Sequence, residues 1–192
     1  MCEDVESYIE RDPALFQHYE LALLPNAPCM ATLLHRIAHE IWSWSKRTDS
    51  RSLAMSISHY SRVSTGAEIH PAAKIGRNFV LDHATGTVIG ATCEIGNNCY
   101  ILNNVILGAR GICSNERAKR HPTICDNVEI GSSVRILGNI TVGQDCFICP
   151  ATTITKDVPA YSNVKPDGNN GFVCTARNAA QNYKPTELLN AI

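Results

Sequence analysis

The sequence predicts a mainly β fold, a parallel β-helix of hexapeptide repeats preceded by a short α-helical segment. Three observations lead there. From residue 69 onward, aliphatic residues recur at six-residue intervals. The fourth residue after each aliphatic is often small or apolar as well. The first 60 residues lack that period and show helical spacing instead.

The helical segment comes first. MATLLHRIAHEIWSWSKR, residues 30–47, places Leu33, Leu34, Ile37, Ile41, Trp42 and Trp44 at roughly helical spacing. Pro13, Pro25 and Pro28 break the stretch before it into short pieces. His35 and His39 stand four apart, as a metal-binding pair would, but no HExxH pattern accompanies them. They are expected to be solvated or at the core edge.

The repeats follow. Ile69, Ile75 and Leu81 are six apart; Ile89, Ile95, Ile101 and Leu107 repeat at six; Ile124, Ile130, Ile136, Val142, Ile148 and Ile154 do so again. Six fits neither an α-helix nor a simple strand, but it fits a coil of three short strands whose inward aliphatics stack on those of the next coil. The second inward position holds Ala73, Cys93, Cys99, Val105, Val128, Val134 and Cys146. Cys125 and Cys149 follow an aliphatic directly, where Gly76, Gly90, Gly96, Gly131 and Gly143 stand elsewhere. Five of the nine cysteines thus fill small-residue slots, where a free thiol behaves as a small hydrophobe. The one CxxC, Cys146 to Cys149, lacks the βαβ setting of a redox motif.

Two interruptions stand out. Between Leu81 and Ile89 the spacing is eight, with the extra residues in DHATGTV. Between Leu107 and Ile124 lie sixteen residues, GARGICSNERAKRHPT, too many for a coil corner and rich in Arg and Lys. Loops on a rigid repeat frame are where function usually sits. The chain therefore divides into a helical segment over 1–62, a coil over 63–160 with an excursion loop over 108–123, and a tail over 161–192.

Composition narrows the partners. With 44% hydrophobic and 18% charged residues, the 192-residue chain can bury a core, and a net charge of −1 gives no general reason to expect nucleic acid. No apolar run approaches the about 18 residues of a membrane-spanning helix. The acidic start, MCEDVESYIERDP, lacks the regions of a signal peptide, so a cytoplasmic location and reduced thiols are expected.

RDPA (11–14), HRIAHEIW (35–42), EIHPAAKIGRNFVLDHATGTVIG (68–90), KRHPTI (119–124) and ILGNITVG (136–143) together resemble the serine acetyltransferase family. The resemblance runs from about residue 11 to about residue 158. It implies a left-handed coil, although β-crossover preference in general favours the right hand. It also implies trimers with active sites between subunits, and transfer of acetyl from acetyl-CoA to the hydroxyl of L-serine. A serine hydroxyl does not ionise at neutral pH, so a histidine base suits the task. His83 aligns with that base, and Glu68 stands where the family carries an Asp that orients it. Asp12 and Asp82 align with carboxylates that hold the substrate ammonium. Arg120 aligns with the arginine that grips its carboxylate, and His121 with a second active-site histidine. The resemblance implies direct attack, with no Ser or Cys nucleophile and no metal.

The chain also departs from the family. Its glycine-rich CoA loop reads Gly108-Ala109-Arg110-Gly111, and Arg110, Arg117 and Lys119 either meet CoA phosphates or are simply solvated. A long N-terminal extension that pairs trimers is absent before RDPA, so a homotrimer is expected. The end, Asn190-Ala191-Ile192, resembles tails that insert a terminal isoleucine into O-acetylserine sulfhydrylase. Other readings are acetyl transfer to another small hydroxylated amino acid, a sugar or an antibiotic, or a non-catalytic partner of the sulfhydrylase. Zinc on His70, His83 and His121 is a further alternative, though the close histidine pair of β-helix carbonic anhydrases is missing.

Overall fold

A computed structural model describes residues 2–12, 26–44, 46–111, 118–168 and 171–177. Three helices come first: α1 (Cys2–Arg11), α2 (Ala27–Trp44) and α3 (Thr48–Thr65). Asn26 caps α2, its side-chain oxygen accepting the Cys29 amide at 3.2 Å. Gly66, at φ 77, ends α3 in the left-handed region and returns its N–H to the Arg62 carbonyl at 2.9 Å.

The large apolar residues that give α2 its periodicity are not the ones it buries. Its buried stripe is Pro28, Ala31, Thr32, His35 and Ala38. Ile37 is 43% exposed and Trp44 90%. α3 buries a stripe of the same kind, Ala54, Ser58, Ser61 and Thr65. Small side chains let the packed helices and the coil approach closely. Of the histidine pair, His35 is buried with neither ring nitrogen bonded, and half-buried His39 meets the Pro71 carbonyl through Nδ1 at 2.7 Å.

From Glu68 the chain winds as a parallel β-helix. The strands β1 (Glu68–Ile69), β4 (Val88–Ile89), β7 (Ile106–Gly108), β10 (Arg135–Leu137) and β13 (Thr153–Ile154) stack into one face. The second face is β2 (Lys74–Ile75), β5 (Glu94–Ile95), β8 (Thr123–Ile124) and β11 (Thr141–Val142). The third is β3 (Val80–Leu81), β6 (Tyr100–Ile101), β9 (Glu129–Ile130) and β12 (Phe147–Ile148). The six-residue aliphatics pair in register: Ile69 opposite Ile89, Ile95 opposite Ile124, Ile101 opposite Ile130. Apart from partly buried Ile75, all of them are at most 5% exposed.

Corners need backbone that most residues avoid. Asn78, Asn98, Asn127 and Asp145 sit at φ 54–57 between the second and third faces. Asn and Asp tolerate that region better than other non-glycine residues. Their side chains form a ladder down the corner, Asn78 to Asn98 at 2.8 Å, Asn98 to Asn127 at 3.0 Å and Asn127 to Asp145 at 3.2 Å.

Past the last hexapeptide the chain bridges the second face, Val158 opposite Val142, and then returns to the third. β14 (Ser162–Pro166) pairs parallel with β12, and β15 (Phe172–Ala176) pairs antiparallel with β14. Within the stretch read from sequence as a tail, these two strands carry no six-residue signal because β15 reverses direction. Cys29, Cys93, Cys99, Cys125, Cys146, Cys149 and Cys174 are free thiols.

Candidate active site

The two interruptions of the repeat hold the chemistry. At the corner after β3, His83 and Ala84 both adopt positive φ, 59 and 56. Two successive left-handed residues swing the imidazole outward, and the His83 side chain is 74% exposed. The Asp82 side chain is 15% exposed, with one oxygen 3.9 Å from His83 Nε2. That same oxygen accepts the Tyr100 hydroxyl at 2.6 Å. The Arg11 guanidinium lies 5.8 Å from the Tyr100 ring centroid, which brings the end of α1 to this corner. Asp12 follows directly, its amide closing on the Tyr8 carbonyl at 3.0 Å. Burial pushes the Tyr8 hydroxyl pKa up, with Asp82 and Asp12 adding to the effect.

The second group stands before β8. Arg120 and His121 give their amides to Thr92 Oγ1 at 3.0 and 3.1 Å. His121 Nδ1 lies 2.8 Å from the same oxygen and 3.2 Å from the Thr92 amide. A Cβ on Gly90 would fall 2.2 Å from His121 Nε2, so only glycine there leaves room for the ring. Burial lowers the His121 pKa, and the charge of Arg120 lowers it further. His70 shifts down for the same leading reasons, opposed by Glu68. Lys119 reaches the Thr92 carbonyl at 3.1 Å and Glu94 at 3.3 Å. The hydrogen bond from Lys74, followed by that from Lys119, holds the Glu94 carboxyl below the ordinary range.

Next to this group lies a cavity of ≈ 250 Å³ lined by Ala109, Arg110, Lys119, Arg120, Gly138 and Asn139 among others. Arg110 crosses it to donate to the Thr155 carbonyl at 2.7 Å. Gly108 closes β7 beside it, accepting the Gly138 amide at 2.9 Å. Three cations around one cavity suit a phosphorylated ligand.

The sequence-assigned residues therefore form two clusters on different corners of the coil. Asp12, Asp82 and His83 make one; Arg120 and His121, beside His70, make the other. Glu68 does not touch His83: its carboxylate pairs with Arg62 at 3.1 Å. Arg117 and Ile192 lie outside the described residues. No group of three or more His, Cys, Asp or Glu side chains is placed to hold a metal ion among the described residues. Tyr100, Thr92 and Gly90 escaped the sequence reading. Gly90 carried a signal as a repeat glycine, whereas the other two occupy ordinary repeat positions.

A stacked hexapeptide coil with its polar groups gathered at two irregular corners defines a hexapeptide-repeat protein, and the family model for bacterial transferase hexapeptide (six repeats) matches residues 121–156. Serine acetyltransferase of Bacillus pumilus (strain SAFR-032) is 43% identical over 162 residues, 84% of this chain and 71% of that protein. The crystal structure of serine acetyltransferase from Vibrio cholerae O1 biovar El Tor N16961 superimposes with TM-score 0.82 and 34% identity, covering 91% of this chain. This chain spans 64% of that solved chain. The Neisseria gonorrhoeae serine acetyltransferase in complex with serine gives TM-score 0.80 and 36% identity over 91% of this chain and 66% of that one. The chain belongs to the serine acetyltransferase family. Superposition at this level requires one coil hand, and the coil is the left-handed parallel β-helix that the resemblance implies. No described helix is long and apolar enough to cross a membrane.

Proposed function

We propose that the protein transfers acetyl from acetyl-CoA to the hydroxyl of L-serine, yielding O-acetyl-L-serine for cysteine synthesis, as a cytoplasmic homotrimer. The observation that carries this reading is the 43% identity over 162 residues to serine acetyltransferase. The geometry supports the roles. His83 takes the hydroxyl proton as the serine oxygen attacks the thioester carbonyl. The tetrahedral oxyanion collapses, the carbon–sulfur bond breaks, and the proton passes to the CoA thiolate. Asp82 and Asp12 meet the substrate ammonium, and Arg120 meets its carboxylate. Arg110 and Lys119, at the edge of the cavity beside Ala109, face the CoA phosphates. Because the ammonium and carboxylate groups sit on different corners, a complete site takes one corner from each of two neighbouring copies. Glu68 serves His83 across the same interface, since within one chain it pairs with Arg62. The C-terminal Ile192 is the contact for O-acetylserine sulfhydrylase, and its deletion is expected to abolish that binding.

The test is CoA release from acetyl-CoA in the presence of L-serine, read with a thiol reagent. His83→Ala is expected to lose roughly 10²–10⁴-fold in rate, the contribution of a general base. Equal turnover without His83, or turnover on other acceptors but none on serine, counts against the reading.

A further inference from the structure

Thr92 engages His121 in a way that decides which nitrogen carries the proton. Its hydroxyl oxygen accepts two amides, from Arg120 at 3.0 Å and from His121 at 3.1 Å. Two accepted bonds occupy both lone pairs of a hydroxyl, leaving the O–H free to donate. The remaining neighbour at bonding distance is His121 Nδ1, at 2.8 Å. The Thr92 amide, which can only donate, points at the same nitrogen from 3.2 Å. An imidazole nitrogen that receives two donors bears no hydrogen itself, so the hydrogen of the neutral ring sits on Nε2. Nε2 makes no hydrogen bond among the described residues, and it passes over Gly90, where a Cβ would come within 2.2 Å. Arg120, one residue earlier, likewise has no described partner for its guanidinium.

We infer that Thr92 is a positioning residue that holds His121 as the neutral Nε2–H tautomer, so that His121 presents a hydrogen-bond donor to a substrate oxygen and does not act as a base. Protonating the ring would place a hydrogen on Nδ1, against the Thr92 amide and hydroxyl hydrogens. Burial and the charges of Arg120, His70 and Lys119 oppose protonation in the same direction. The two histidines of the site therefore divide the work. Exposed His83, its ring beside a carboxylate, accepts a proton; His121 donates a hydrogen bond beside Arg120 to a carboxylate or developing oxyanion. The use of that donor rests on the acetyl-transfer reading, whereas the tautomer stands on this chain's geometry alone.

The experiment is two-bond ¹⁵N–¹H correlation of the histidine rings in the full ¹⁵N-labelled chain at pH 8, with His121→Gln identifying the His121 signals. The expected spectrum shows Nε2 protonated and Nδ1 not. Thr92→Val, which keeps the shape and removes the hydroxyl, is expected to mix the tautomers and lower kcat/KM about ten- to a hundredfold. Thr92→Ser is expected to restore both. A wild-type ring protonated on Nδ1 overturns the inference, as does a Thr92→Val enzyme with unchanged tautomer and rate. The wild-type spectrum needs no variant to fold. A protein that shows the Nε2–H signature yet acetylates no serine leaves the tautomer assignment standing and removes the activity reading.

Discussion

Tyr100 shows how one side chain fixes another at the Asp82–His83 corner. Its hydroxyl donates to Asp82 at 2.6 Å, a short bond of the charge-assisted kind. The bond fixes Asp82 while His83, the next residue, remains largely in solvent. Hydrogen bonds to charged groups contribute about 1.5–3 kcal/mol. Tyr100→Phe frees Asp82 to rotate, and under the acetyl-transfer proposal KM for the amino-acid acceptor is expected to rise about tenfold with kcat changed less. Steady-state kinetics at saturating acetyl-CoA measures both. An unchanged KM would mean that Asp82 is held by its backbone alone. Neither Tyr100 nor Thr92 was legible in the sequence, because each acts on a residue 18 or 29 positions away, respectively. Only the winding of the coil brings them together.

At the scale of elements, the helices are tied to the coil by few but strong contacts. Asp4 of α1 receives Arg36 of α2 through both oxygens at 3.0 Å, and one of these oxygens also accepts the Phe79 amide at 2.9 Å. Arg36 goes on to the carbonyls of Ile75 and Gly76. Asp4 is 7% exposed in its side chain, so its removal leaves a poorly solvated guanidinium and an unpaired amide. Asp4→Ala is expected to cost about 3–5 kcal/mol in chemical denaturation at fixed protein concentration. His35 adds a pH dependence. Burial, with His39, Arg36 and His70 nearby, lowers its pKa from 6.5 to about 3. The unfolded chain thus binds this proton more readily than the folded one. The stabilisation is full above pH 6.5 and is lost progressively as pH falls toward 3. His35→Leu is expected to flatten the fall in unfolding midpoint between pH 7 and pH 5; an identical slope would place the dependence elsewhere. A helix over this stretch was legible from its spacing. Its buried face was not, because the stripe chosen for close packing consists of Pro, Ala, Thr and His rather than of the large apolar residues.

For the whole molecule, the placement of Asp82 and His83 on one corner and Arg120 and His121 on another makes assembly part of the proposed chemistry. In the proposed assembly a closed ring of copies sets one corner of each against the other corner of its neighbour. The exposed apolar residues Ile37, Trp44, Leu53, Tyr60 and Val63 on α2 and α3 are surface such an assembly can cover. Neither His83→Ala nor Arg120→Ala homo-oligomers are expected to turn over appreciably. Co-expressed, they are expected to recover activity, since some interfaces then receive an intact corner from each side. Co-expression without recovery would put the complete site inside one chain. The hexapeptide period, the two breaks in it and the identity of the polar residues at those breaks were all legible in the residues, because each coil repeats a local pattern. That pattern sets the inward stack and therefore the coil. The small-residue faces of the helices, the return of β14 and β15 along the third face, the hold of Tyr100 on Asp82 and the separation of the two half-sites were decided by tertiary structure. The last two depend on which residues of successive turns lie side by side, and the insertions shift that register from the plain six-residue period, setting Val80 opposite Tyr100 and Glu94 opposite Thr123. The first two depend on packing between segments that no local period encodes.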